Sequence, residues 1–121
     1  MKRDWELIRK IVLAVEDHPT GIAPDLRIDG YSQDAVGYHA YLLMDAGLAR
    51  GAESTSMSDS SPQALLMNLT WAGHDFADKA RDESRWKSVM RLVEDRGGSI
   101  TVDILGQLLG GLLKSTFGIP N

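Results

Sequence analysis

The sequence predicts a mainly α-helical, α+β fold with one small β-hairpin, and three observations predict it. Apolar residues recur at helical spacing in five separate stretches. A polar, serine-rich stretch at 51–62 is flanked by two short apolar runs suited to strands. Most glycine and proline punctuation falls between these patterns, with Gly37, Gly73 and the glycines of the last stretch inside them.

Residues 4–17 read as the first helix. Trp5, Ile8, Val12 and Val15 recur at steps of three or four, with Leu7 and Ile11 beside them. Asp4 suits the N-cap, and His18-Pro19-Thr20-Gly21 is a stop signal. A short extended stretch, Leu26-Arg27-Ile28, ends at the turn dipeptide Asp29-Gly30. The second helix starts near Ser32 and runs to about Ala46 on a stripe of Ala35, His39, Leu42, Leu43 and Ala46, with Gly47 as its left-handed C′ residue. Leu48-Ala49 begins a strand, residues 51–62 form a mobile loop, and Leu65 to Leu69 is the returning strand. Thr70 caps a helix over 71–81. Trp86, Val89, Met90 and Val93 mark the next, ended by Gly97-Gly98. The last helix opens at Ser99 or Thr101 and carries Ile104, Leu105, Leu108, Leu109, Leu112 and Leu113.

Helix, extended stretch, helix, then two strands around a polar loop is the order of a winged helix. The 22–31 segment stands where that fold has its middle helix. The expected architecture is a winged-helix-like core over residues 1–81, with a small antiparallel wing, and a C-terminal helical extension over 82–121 packed on the same single domain.

Several phrases also resemble a known family. Met1-Lys2-Arg3-Asp4 with Leu7-Ile8-Arg9 resembles its opening. Gly30-Tyr31, the run from Tyr38-His39 to Leu48, Leu69-Thr70-Trp71-x-Gly73-His74-x-Phe76 and Arg81-Asp82-x-x-x-Trp86 resemble its later blocks. Together they are similar to the bacterial and prophage proteins grouped as domain of unknown function twenty-five thirteen. The resemblance covers residues 1–86 and implies a winged-helix-like fold in bacteria or integrated phage. It carries no catalytic residue and no ligand with it.

Composition narrows the function classes. The 121 residues hold 13 basic and 17 acidic side chains, a net charge of −4, and no cysteine. Thiolate metal sites, disulfides and thiol catalysis are thereby excluded. No secretory leader or membrane span is predicted, so the expected location is the cytoplasm. Residues 11–70 carry Arg27 and Arg50 against eight carboxylates, a local net charge of −6. Phosphate is repelled by such a field, and the outward face of the second helix has no Arg or Lys to read a base.

That outward face, Asp34, Tyr38, Tyr41 and Asp45, is instead the candidate partner-binding surface, since tyrosine offers contact area at little entropic cost. The competing structural reading packs one of the two tyrosines under the wing or against the N-terminal helix. Lys2, Arg3, Arg9 and Lys10 are candidate phosphate contacts, with Lys2 and Arg9 nearly superposed if both are helical; the plainer reading is a solvated face offset by Asp4 and Glu6. In the last helix, Gly106 and Gly110 form a smooth strip which, with Leu109 and Leu113, suggests self-association as a homodimer. His18, His39 and His74 lack metal-site spacing; His39 reads as a hydrogen-bonded core residue, and His74 could pair with Asp75 or Asp78. Thr70-Trp71-x-Gly73-His74 reads more naturally as a helix start packed beneath the wing. No nucleophile elbow, phosphate loop or dinucleotide motif is present, so no catalytic residue, metal or cofactor is expected. The resulting expectation is a non-catalytic binding module, regulatory in role, with an unidentified protein partner. The alternative is a DNA-binding transcriptional regulator.

Overall fold

In the computed structural model the described residues are 1–22, 25–116 and 118, and the side chains of 112–116 are not among them. The element order is α1 (Trp5–Asp17), α2 (Gln33–Asp45), β1 (Ala49–Glu53), β2 (Ala64–Leu69), α3 (Trp71–Ala80), α4 (Glu83–Asp95) and α5 (Val102–Thr116). The fold is α+β and winged-helix-like. The chain divides into two compact units, Met1–Ala77 and Asp78–Asn121. None of these helices is long and apolar enough to cross a membrane, among the described residues.

Each helix opens on a short polar side chain that takes up a backbone N–H otherwise left without a partner. Asp4 Oδ1 accepts from Glu6 and Leu7 at 3.0 and 3.2 Å. Ser32 accepts from Ala35 at 3.1 Å, Thr70 from Gly73 at 3.1 Å, Asp82 from Arg85 at 2.8 Å and Thr101 from Ile104 at 3.2 Å. Each such cap is worth about 1 kcal/mol. At the far end of α2, Gly47 takes φ +75°. Its N–H reaches Met44 at 3.1 Å while Leu48 N–H reaches back to Leu43 at 2.9 Å. This Schellman closure turns the chain out of α2 and into the wing with Leu43 and Leu48 both buried.

The wing is antiparallel, with Ala49 opposite Leu69 and Glu53 opposite Ala64. A bulge at Arg50/Gly51 leaves Met67 as the extra residue of β2. Residues 51–53, expected in the loop, extend β1. The serine-rich segment beyond them, expected to be mobile, carries its own hydrogen bonds: Ser54 N–H to Gln63 at 2.8 Å, Gln63 N–H to Thr55 Oγ1 at 2.9 Å, and Ser56 N–H to Asp59 at 2.8 Å.

The first unit buries Leu7, Ile8, Ile11, Val12 and Val15 of α1 with Val36, His39, Ala40 and Leu43 of α2 and Leu66 and Leu69 of β2. The inward line of α2 is therefore rotated from the expected one: Val36 and Ala40 are buried, whereas Ala46 is exposed. The expected extended stretch at 26–28 joins no sheet; the Asn68 amide donates to Gly21 and the Gln33 amide to Leu26, each at 3.4 Å. Ala23 and Pro24 lie outside the described residues.

Thr70 locks the wing to α3. Its N–H donates to Leu48 at 3.1 Å and its hydroxyl to Gly47 at 2.6 Å, while the same oxygen caps α3. Two residues into that helix, a Cβ on Gly73 would collide with the Leu48 carbonyl oxygen, which is backbone and cannot swing aside. Gly73→Ala should lower unfolding free energy in urea by about 1–3 kcal/mol. Gly21→Ala, in open space, should change it by no more than about 0.5 kcal/mol.

Candidate functional site

On α2 the residues 34, 38, 41 and 45 follow one another at steps of four, three and four. At 100° per residue they lie within about 40° of one line, and that line points about 180° from the buried Val36, His39, Ala40 and Leu43. The stripe is about 16 Å long at 1.5 Å per residue. Asp34 and Asp45 are exposed, and Tyr38 and Tyr41 are half-buried. The two rings stack on each other, 6.5 Å between centroids and 15° between planes, so neither tyrosine is spent in the core. Among the described residues neither carboxylate is in an ion pair or a hydrogen bond. At the N-terminal end, the Gln63 amide from the wing donates to the Asp34 carbonyl at 3.2 Å and lies over Gly37.

The helix field treats the two acids differently. Asp34 sits in the first turn, where the positive end of the macrodipole favours it. Asp45 is the last helical residue, at the negative end, with no basic residue in that turn.

The N-terminal cations do not form one band. Asp4 caps α1, so Lys2 and Arg3 precede the helix, and the expected superposition of Lys2 on Arg9 does not occur. Arg3 stacks over Trp5 at 4.5 Å and Lys10 over Tyr31 at 5.5 Å. The Arg9 side chain is only 11% exposed and lies 3.8 Å from Glu6. Tyr31 is pushed above its ordinary value of 10.0, first by burial and then by the negative charges of Asp4 and Glu6 and a hydrogen bond to Asp4.

In the second unit, Leu105 and Leu109 are fully buried. Leu109 therefore serves the chain's own interior, not a partner. The strip formed by Gly106 and Gly110 meets the end of the Lys79 side chain, at 3.9 and 3.7 Å from the positions their Cβ atoms would take. Those atoms of Lys79 come to the strip from within the same unit. The Leu113 side chain lies outside the described residues.

His39 is 1% exposed, and both its nitrogens are used: Asp4 N–H donates to Nε2 at 2.8 Å, and Nδ1 donates to the Ala35 carbonyl at 2.8 Å. His74 pairs not with Asp75 or Asp78 but with Glu16 of α1, at 2.8 Å. No group of three potential metal ligands occurs among the described residues.

Some surface residues escaped the sequence reading. Leu65 and Met67 point outward from β2, 67% and 50% exposed, which its two-residue alternation could have shown. Trp71, expected beneath the wing, is 82% exposed at the first position of α3; only Thr70 and Gly73 of that phrase pack at the wing base.

The family model described as hypothetical protein DUF2513 matches residues 2–99. The chain belongs to that family. It is also 33% identical over 111 residues to an uncharacterised protein of Haemophilus influenzae, covering 89% of this chain and 92% of that relative. No solved structure matches it.

Two outcomes follow for the charged groups. Tyr31 should ionise above pH 10, read as the difference between spectrophotometric titrations of the native chain and of Tyr31→Phe. Because its folded value is raised, its stabilising contribution is complete below pH 10 and is lost as pH climbs through the raised value, so Tyr31→Phe should flatten that loss in melts between pH 9 and 11. Asp45→Asn should stabilise the fold by about 0.3–1 kcal/mol at low salt, read from thermal melts.

Proposed function

We propose that this chain is a non-catalytic, cytoplasmic interaction module, regulatory in role, that binds a protein partner through the Asp34–Tyr38–Tyr41–Asp45 stripe of α2. One observation carries the reading. The outward line of the helix that a winged helix presents to its target holds two mutually stacked tyrosines between two carboxylates that, among the described residues, have no ion-pair or hydrogen-bond partner. Half-buried tyrosines of this kind give rigid contact area with a polar tip, the composition typical of an interface centre.

The same surface disfavours the DNA-binding reading. A helix entering the major groove brings its exposed side chains within reach of base edges and phosphates. Here those side chains are acidic, and the basic residues at the N-terminus are divided among Trp5, Tyr31 and Glu6. Catalysis finds equally little support: the carboxylate–imidazole pair Glu16–His74 has its histidine side chain 54% exposed, and the chain has no cysteine to act as nucleophile beside it.

A photo-crosslinking amino acid placed at Tyr38 or Tyr41 in the full-length chain, expressed in bacteria of its own kind, tests the reading. Protein adducts should form from these positions and not from Leu92 on α4. Duplex DNA titrated at low salt should show no salt-dependent binding. Adducts from Leu92 alone, or DNA affinity that falls steeply with salt, would replace the proposed surface with another.

A further inference from the structure

The chain already shows what its half-buried aromatic rings do with cations. Arg3 lies over Trp5, 4.5 Å from the ring centroid, and Lys10 lies over Tyr31 at 5.5 Å. Tyr38 and Tyr41 have the same chemistry but, among the described residues, only each other and the neighbouring His39 as ring contacts. They stand in the part of the sequence where residues 11–70 set two arginines against eight carboxylates. Those two arginines are engaged elsewhere: Arg27 with Asp25 at 3.4 Å, and Arg50 with Asn68 at 3.3 Å and the Leu69 carbonyl at 3.2 Å. Nothing within that region is placed to neutralise the stripe.

We propose that the α2 stripe docks an arginine-bearing segment of a protein, whose guanidinium groups stack on the Tyr38 and Tyr41 rings and pair with Asp34 and Asp45. The proposal rests on the interaction reading above and names the partner's chemistry. Charge complementarity selects a cation. The stacked phenol pair selects arginine over lysine, because a planar, weakly hydrated guanidinium lies flat on a ring while its edge donates to a carboxylate. The two ends of the stripe, about 16 Å apart, match an extended segment of about five residues at 3.3 Å each. A nucleic acid, carrying phosphate, is repelled by the same groups.

Fluorescein-labelled octa-arginine and octa-lysine, titrated by anisotropy against the full chain at several salt concentrations, are the probes. Octa-arginine should bind about two- to fivefold more tightly than octa-lysine, and Tyr38→Ala with Tyr41→Ala should abolish that difference. Asp34→Asn with Asp45→Asn should weaken both peptides by about three- to tenfold and flatten the salt dependence. Glu94→Gln with Asp95→Asn removes the same charge at the end of another helix and should leave octa-arginine binding within about twofold, as an off-site change does. Equal affinity of the two peptides for the native chain, or equal losses in the stripe and control variants, overturns the proposal. Should the tyrosine variant fail to fold, the arginine-over-lysine preference of the native chain and the loss of affinity in the carboxylate variant, its folding checked by a melt, decide together. Stripe-dependent doubling of the solution mass would make the occupant a second copy and would likewise overturn it. Adducts at Tyr38 without arginine preference would sink this inference while leaving the interaction surface in place; absence of both would sink the two together.

Discussion

Asp4 and His39 hold the first unit in register, and the outward stripe exists because they do. The Asp4 carboxylate caps α1 and is hydrogen-bonded to Tyr31, while the Asp4 backbone N–H crosses to Nε2 of His39. The imidazole sits 1% exposed, and its other nitrogen is held by the Ala35 carbonyl one turn back on α2. Leaving either nitrogen without a partner in that setting costs about 1–3 kcal/mol. Hydrophobic packing alone tolerates some rotation of a helix about its axis; a ring bonded at both ends does not. With His39 aimed at the start of α1, the line through Tyr38 and Tyr41 has one direction left, away from the core.

A second joint does for the wing what His39 does for α2. Thr70 bonds Gly47 and Leu48 and caps α3 with the same side chain, and Gly73 lets that helix approach the Leu48 carbonyl. The Schellman turn at Gly47 is thus held from both sides. Since Gln63 at the end of the wing loop reaches the Asp34 carbonyl, the wing and the stripe are positioned by one connected set of bonds.

What was legible in the sequence was whatever short-range geometry decides. Asp4 and Thr70 were legible as caps, and helix starts near Ser32 and at Ser99 or Thr101, because a side-chain oxygen reaches an N–H two or three residues away, whatever the rest of the fold does; Ser32 and Thr101 are the residues that do so. Gly47 was legible for the same reason, whereas periodicity alone left the inward line of α2 rotated from the one that buries Val36 and Ala40. Misreadings arose where distant chain decides. No local pattern places the end of Lys79 near Gly106 and Gly110, which are 27 and 31 residues further on. His74 has two acids close by in sequence, yet its partner Glu16 is 58 residues away. Trp71 looked like core because tryptophan usually is, but the first position of α3 faces solvent once Thr70 and Gly73 have fixed how that helix meets the wing.

Charge and aromatic surface make separable contributions on α2. Exposed ion pairs add little net affinity, because long side chains lose freedom and water screens the attraction. A local excess of six negative charges acts mainly before contact, by raising the rate at which cations encounter the surface and repelling phosphate. Residence after contact depends on what the arriving group can cover, and here that is a pair of phenol rings lying nearly parallel. The geometry therefore divides the work. Asp34 and Asp45 mark the ends and set the sign of what is admitted, while Tyr38 and Tyr41 set its shape. Asp95 ends α4 as Asp45 ends α2, at the same disfavoured pole of a helix, but α4 places no aromatic pair beside it. A carboxylate at a helix end is ordinary surface; beside two stacked tyrosines, opposite a core that fixes the helix's rotation, it becomes part of a recognition surface.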